Sequence, residues 1–537
     1  MWTSNWRDDV WSQLSQPFDL LVVGGGITGA GILREASRAG LRALMIEAGD
    51  FASGTSSRSS KLVHGGLRYL RDGKLRLTLV SVQEREHLLR EGRGLVTPLG
   101  FLLANFEDDS IPSWVFGIGL ILYDLMGLQW GHRHYSPRAM RSLCPQLTIA
   151  GLEGGYRYFD AQTDDARLVL RVIRESVADG VLALNYARAD DLLLGRDGEV
   201  HGVVVSDLAP SGDGRSVEVR ASVVINATGV WADGLRMKLG GSPRLRRLRG
   251  GHLVFPWSRL PLTRAVTFLH PTDGRPVFAF PWEGVTVFGT TDVDHRASLE
   301  HEPAVSPAEI DYLLGGLQRA FPESELEESD IQCSFAGVRG VLDTGKEDPS
   351  RESREHVLWD EKGLITLTGG KLTTFRTMAL DALNRVRRRL PAGTRPLRKV
   401  RVLDQLPPPS EELACLPPST QSRLLGRYGA EAGSVLDCLD RAAPEAIGPL
   451  PALWAELRWA ARAEGVVHLS DLLERRVRLS LTLPKGGLNE MDRIRALVQD
   501  ELGWDDRRWE SEAHAYAASW NAHHAPPATP HSTDESR

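Results

Sequence analysis

Cysteine is scarce. Cys144, Cys333, Cys415 and Cys438 are the only four in 537 residues, and none forms a CxxC pair. That excludes a disulfide framework and a zinc knuckle, and it fits a reducing compartment. No uncharged apolar run is long enough to span a bilayer. The opening MWTSNWRDDVWSQLSQ carries an acidic pair and lacks the apolar stretch of a signal peptide. Neither sign of charge dominates: 64 Lys and Arg against 70 Asp and Glu give a net charge of -6, which argues against a general nucleic-acid binder. No internal repeat is present. These absences leave a cytoplasmic protein, or one held on a membrane surface without crossing it. The length allows two or three domains with a large core.

What is present centres on FDLLVVGGGITGAGILREASRAGLRALMIEAGD, residues 18–50. An apolar strand runs into Gly24-x-Gly26-x-x-Gly29. Residues 28–38 read as a helix stopping at Gly40, and a second strand ends in Glu47. This is the βαβ dinucleotide-binding fingerprint. The first glycine permits the tight turn, the second lets backbone approach a pyrophosphate, and the third lets helix pack on strand. The helix N-terminus offers N–H groups to phosphate, and Glu47 can accept ribose hydroxyls. The motif alone does not choose between FAD and NAD.

Further along, FASGTSSRSSKLVHGGLRYLRDG crowds hydroxyl side chains ahead of Lys61, His64, Gly65, Gly66 and Arg68, which suggests a second cofactor-touching segment. Residues 74–93 suggest an exposed helix of mixed charge. IPSWVFGIGLILY, residues 111–123, has no charge. A buried core helix is the default for it; the alternative is a face dipping into a bilayer, anchored by Trp114 and Tyr123. Residues 164–180 have helical apolar spacing. VVINATG brings Ala227, Thr228 and Gly229 to a strand end, where open α/β sheets bind ligands. RLRRLR, residues 244–249, is a basic run before Gly250-Gly251-His252. FAFPWEGVTVFGTTD, residues 278–292, reads as a hairpin. LITLTGGKLTTFR, residues 364–376, turns through Gly369-Gly370 into a helix N-terminus beside Lys371, Thr373 and Thr374. A second basic stretch, 384–401, precedes the LPPPS linker, and residues 411–525 read as helical. The end, HHAPPATPHSTDESR, has the composition of a disordered tail.

GGGITGAGI, TSSRSSKLVHGGLRYL, PWEGVTVFGTTDVD, GVRG and GGKLTTFR occur in the order and spacing of the FAD-dependent, quinone-linked glycerol-3-phosphate dehydrogenases. The sequence resembles that family from about residue 18 to 376, and more loosely around ELRWAARAEGVVHLSDLLERR. The resemblance implies an α/β fold: a doubly wound, Rossmann-like FAD-binding domain of the glutathione-reductase and amine-oxidase type, an antiparallel substrate or cap domain, and a C-terminal helical domain. The expected boundaries are an extension at 1–17, an oxidoreductase region at 18–405, a helical domain at 406–525 and a tail at 526–537. Within the second, 18–80, 150–235 and 330–390 would form the FAD domain, with 81–149 and 236–329 as cap.

The family oxidises sn-glycerol 3-phosphate to dihydroxyacetone phosphate and passes electrons from FAD to a membrane quinone. By resemblance, Gly24, Gly26, Gly29 and Glu47 hold the ADP half of FAD. Thr55, Ser56, Ser60, Lys61, His64, Gly65 and Gly66 line the pyrophosphate and flavin, and Gly370, Leu372 and Thr373 close over the ring edge. Arg68, Arg339, Arg354 and Lys371, with Thr374, match the substrate pocket, where arginine suits phosphate. His252 is the expected base, since a neutral imidazole near pH 7 suits proton removal; orienting substrate or flavin is its alternative role. Catalysis is thus expected from His252 and Arg339, without a metal. An anionic inner face of the cytoplasmic membrane is the expected partner surface, no nucleic acid is expected, and a homodimer is compatible. Two departures stand out: Gly340 where the family often has proline, and Gly251 where it often has serine. Either could loosen the pocket. A flavin oxidase using oxygen, and a flavoprotein without catalysis, are the competing readings.

Overall fold

The computed structural model describes residues 2–3, 5–67, 70, 73–127, 130–347, 352–353, 355–439 and 444–526. The tail beyond 526 therefore lies outside the described residues.

Two sheets carry the architecture. In the first, the mostly apolar strand Phe18–Val23 and the all-apolar strand Ala43–Ile46 lie parallel to each other. Ser216–Asn226 and Leu364–Thr368 extend this parallel set on one side and Leu182–Leu184 on the other. Val357–Glu361 closes one edge antiparallel. Buried parallel strands need both faces covered. The helix Ile27–Arg38 packs on one face with Asp165–Ala178 and Phe375–Val386, around Val22, Ile32, Val169 and Ala379. The other face is covered by the antiparallel ribbon Ala187–Leu194 and Val200–Asp207, whose Val203 and Val205 meet Leu21 and Leu44. The N-terminal helix Trp6–Trp11 joins this layer, with Arg7 donating to Asn185 and Asp207.

The second sheet is mainly antiparallel. Its long strand Leu245–Pro256 pairs with Val285–Gly289 and with Cys333–Leu342. The expected hairpin is formed by Pro276–Trp282 and Val285–Gly289. The described residues of 411–439 and 444–525 are mainly helical, and they pack on this sheet through Leu457 and Leu479 against Trp282 and Phe335. Buried ion pairs join these helices to the nucleotide-binding side: Arg167 forks onto Glu464 at 2.6 and 2.8 Å, and Asp50 receives Arg475 and Arg476.

Three local expectations change. The helix Leu75–Glu91 is half-buried, because Glu84 and Arg85 form inward ion pairs with Arg376 and Asp160. The helix Ser113–Gly127 is no core helix. It buries Gly117, Leu120, Tyr123 and Asp124, but leaves Trp114, Ile118, Leu122 and Leu125 exposed. Tyr123 is no surface anchor, since its hydroxyl donates to buried Asp160 at 2.6 Å. The basic run 244–249 lies on a strand and is largely paired, Arg246 with Asp294 and Arg249 with Glu309.

Candidate active site

A cleft of about 1010 Å³ runs from the glycine loop, between the two sheets, to His252 and Arg339. That lies at the upper end of ligand-pocket sizes, so it is roomy enough for a dinucleotide. Its first wall is the fingerprint. Gly24 has φ +116°, a left-handed conformation that favours glycine. A Cβ on Gly29 would lie 1.9 Å from the Gly24 carbonyl oxygen, so helix and loop touch only because residue 29 is glycine. Gly29 works beneath the cleft wall, not on it. Glu47 sits at the strand end and accepts from the Gly25 and Gly49 N–H groups at 2.7 and 2.8 Å. Burial raises its pKa, and these N–H donors oppose the rise.

The 55–64 segment supplies the second wall. Thr55, Ser56, Ser60 and His64 line the cleft. Ser56 Oγ accepts from Ile27 N at 3.0 Å, at the terminus where an anion would bind. Gly65 and Gly66 do not line it. Gly65 N donates to Tyr123 Oη, and a Cβ there would meet Val82 at 2.4 Å. Lys61 departs from the expected flavin contact: its ammonium is fully buried against Asp165 at 3.0 Å, because this carboxylate and the Ser57 carbonyl draw it away from the cleft.

Near the far end, His252 and Arg339 come from adjacent strands. His252 faces Phe335 and Leu248 faces Arg339 in register. The imidazole stacks on Phe335 at 4.6 Å, its Nε2 lies 2.8 Å from Ser60 Oγ, and its buried Nδ1 has no partner among the described residues. Burial, then the cations Lys61 and Arg339, push its pKa down to about 3. The ring is neutral as expected, but as a far weaker base than one tuned near pH 7. Arg339 Nη2 donates to Asp292 at 2.8 Å, and Lys371 Nζ to Ser81 at 3.1 Å.

Gly370, with φ +75°, brings Lys371, Leu372 and Thr373 into the wall. A Cβ at 370 would meet Met378 Sδ at 2.3 Å. Thr374 turns inward to the Lys371 carbonyl and Met378, away from the cleft. Arg68 and Arg354 lie outside the described residues.

Neither departure opens the pocket. A Cβ at Gly251 would come within 3.2 Å of Val305, and one at Gly340 within 3.2 Å of Leu245 and 3.3 Å of Val230. Neighbouring side chains and backbone already fill both spaces.

Comparison with known proteins agrees with this geometry. The family described as "FAD dependent oxidoreductase" matches residues 19–379, and "C-terminal domain of alpha-glycerophosphate oxidase" matches 378–509. A glycerol-3-phosphate dehydrogenase 2 of Mycobacterium tuberculosis is 35% identical over 535 residues, covering 95% of this chain and 90% of that protein. The chain belongs to the FAD-dependent glycerol-3-phosphate dehydrogenase family. The aerobic glycerol-3-phosphate dehydrogenase of Bacillus subtilis is 39% identical over 379 residues, 70% of this chain and 67% of that one. A glycerol-3-phosphate dehydrogenase from Bacillus halodurans, solved with FAD, superposes with a TM-score of 0.76 at 27% identity, covering 98% of this chain and 100% of that one.

The protein is an FAD-dependent oxidoreductase. The glycine cradle, the Ser56-capped helix terminus and the His252 Nδ1 that has no partner among the described residues all suit that cofactor. Three residues behind this family site were missed. Asp165, which anchors Lys61, read only as the start of a helix, and Asp292, which holds Arg339, as the end of a hairpin. Arg478, 421 residues from the Ser57 carbonyl it donates to, gives no local signal.

Proposed function

We propose that the protein oxidises sn-glycerol 3-phosphate to dihydroxyacetone phosphate and passes the electrons to a membrane quinone. The observation that carries this reading is a neutral buried imidazole, His252, with the Arg339 cation acting on it, in a cleft that Lys371 also lines. FAD supplies the hydride acceptor when bound. Arg339 and Lys371 hold the phosphate, with Arg68 and Arg354 expected beside them. Phosphate binding fixes the carbinol near His252, which takes the hydroxyl proton on its imidazole. A bound phosphate dianion also offsets Arg339, one of the cations that hold the His252 pKa down, which makes His252 a better base in the complex than in the free enzyme. The dehydrogenase relatives, matched over 95% of this chain and 90% of that protein in the mycobacterial case, support this substrate.

The membrane acceptor has separate support. The helix Ser113–Gly127 and the neighbouring Leu75 and Leu79 expose an apolar face flanked by Trp114 and Trp130, 64% and 71% exposed. Tryptophan at the rim of such a face suits a bilayer interface. Among the described residues no helix is long and apolar enough to cross a membrane. Steady-state formation of dihydroxyacetone phosphate, with a quinone analogue or with air as acceptor, tests the reading. Faster turnover with the quinone supports it. Stoichiometric peroxide with no gain from quinone would replace it with an oxidase.

A further inference from the structure

Lys61 is a buried amine that the reaction as described does not use; burial and then Arg478 push its pKa down to about 7, so it is a cation at the lower pH where His252 titrates. Its side chain is fully buried, and Nζ donates to the Ser57 carbonyl at 2.7 Å and to both Asp165 oxygens at 3.0 and 3.1 Å. Its backbone is left-handed, φ +58°, which a side chain with a Cβ adopts only under constraint. Asp165 also accepts from Ser59 N and Oγ at 2.9 and 2.7 Å, and Ser59 Oγ in turn accepts from Lys61 N at 3.0 Å. Residues 59 and 61 are thus pinned to one carboxylate, with Ser60 between them. A buried charge is costly and a methionine would fill the same space, so packing alone does not call for lysine here.

We propose that Lys61 is a positioning residue: paired with Asp165, it fixes the turn that holds the Ser60 hydroxyl against His252 Nε2. The inference rests on the reading that His252 takes the substrate proton.

The same lysine also acts through its charge. Its Nζ lies 4.6 Å from the centre of the Phe335 ring, and that ring lies 4.6 Å from the centre of the His252 imidazole. Lys61 and His252 are therefore within about 9 Å of each other, separated by little more than an aromatic ring. A cation at that distance resists a second one, worth about one pKa unit at an interior dielectric near 20. The charged groups around the pair are Arg339, itself paired with Asp292, on the His252 side. Asp165, Asp164 and Arg478 stand on the Lys61 side. Arg478 comes from the C-terminal helical region, lies 3.4 Å from Asp165 and donates to the Ser57 carbonyl at 2.8 Å. It leaves Asp165 a partner when Lys61 is replaced, so the variant retains a route to folding.

The test uses the full-length, FAD-loaded protein as Lys61→Met, Lys61→Arg and the double variant Lys61→Met/Asp165→Asn. The double variant removes both buried charges in case a lone carboxylate prevents folding. Nitrogen-15 histidine NMR, with the His252 signal assigned by its loss in His252→Asn, follows the ring from about pH 3 to 7, the range that holds its midpoint. The wild-type ring stays neutral down to about pH 4. In Lys61→Met its titration midpoint rises by about one unit and Lys61→Arg restores it, while the double variant, which also removes the opposing Asp165 charge, shifts it less. Anaerobic flavin reduction should slow tenfold or more in Lys61→Met, with KM changed less than about threefold. An unmoved His252 signal, or kcat loss that only follows lost FAD, would overturn the proposal. If wild-type flavin is not reduced by sn-glycerol 3-phosphate, the substrate reading fails instead, and the NMR comparison still decides the role of Lys61.

Discussion

Replacing Arg339 with methionine removes the guanidinium from the cleft while keeping most of its apolar stem. In the structure Nη2 lies 2.8 Å from Asp292 Oδ1, and the group lines the same cleft as His252. Each charged hydrogen bond to a phosphate contributes about 1.5–3 kcal/mol, so kcat/KM for sn-glycerol 3-phosphate should fall by roughly 10- to 150-fold. Glycerol, lacking the phosphate, should lose much less. The Asp292 side chain is only 2% exposed, so taking away its guanidinium should also lower stability. Arg339→Met/Asp292→Asn should recover that stability without recovering activity. The assay is stopped-flow flavin reduction with both substrates, beside thermal melts of both variants. Equal losses for glycerol and sn-glycerol 3-phosphate would refute phosphate binding by Arg339. So would activity that returns with stability in the double variant.

Three further outcomes are expected. Gly29→Ala should purify without its yellow colour, because the new Cβ would sit 1.9 Å from the Gly24 oxygen; one FAD per chain in that variant would contradict the cradle. Burial pushes the Glu35 carboxyl up to about 7 despite Arg38. The folded state thus binds this proton more tightly than the unfolded one, and stability falls as pH rises from about 4.5 to 7. Glu35→Gln should therefore stabilise by up to about 3 kcal/mol at pH 8 and by little at pH 4.5; equal shifts in melting temperature at both pH values would contradict this. Ile118→Glu with Leu125→Glu should shift the protein from anionic vesicles to the supernatant in a sedimentation assay. Turnover with a soluble acceptor should be unaffected, and unchanged vesicle binding would remove the support this face gives to a membrane acceptor.

The parts of the fold legible in the sequence are those whose causes are local. Gly24, Gly26, Gly29 and Glu47 act through spacing within one βαβ unit, and the structure places strand, turn, helix and acid accordingly. What failed depends on residues far away. Nothing near Lys61 shows that Asp165, 104 positions later, takes its ammonium. The run 244–249 reads as a basic patch until its strand brings Asp294 and Glu309 beside it. The uncharged run 111–123 reads as core, yet the Ser113–Gly127 helix has no partner over Trp114, Ile118 and Leu125 among the described residues. The His252 protonation state was legible in sign, but its depth was not. That depth comes from burial by two sheets and from cations on separate segments.

The most direct test of the account is anaerobic mixing of the purified, FAD-loaded protein with sn-glycerol 3-phosphate, following flavin absorbance. The account predicts full bleaching with one dihydroxyacetone phosphate formed per flavin, and much slower bleaching in His252→Asn. Flavin that stays oxidised in the wild-type protein at saturating sn-glycerol 3-phosphate would contradict it.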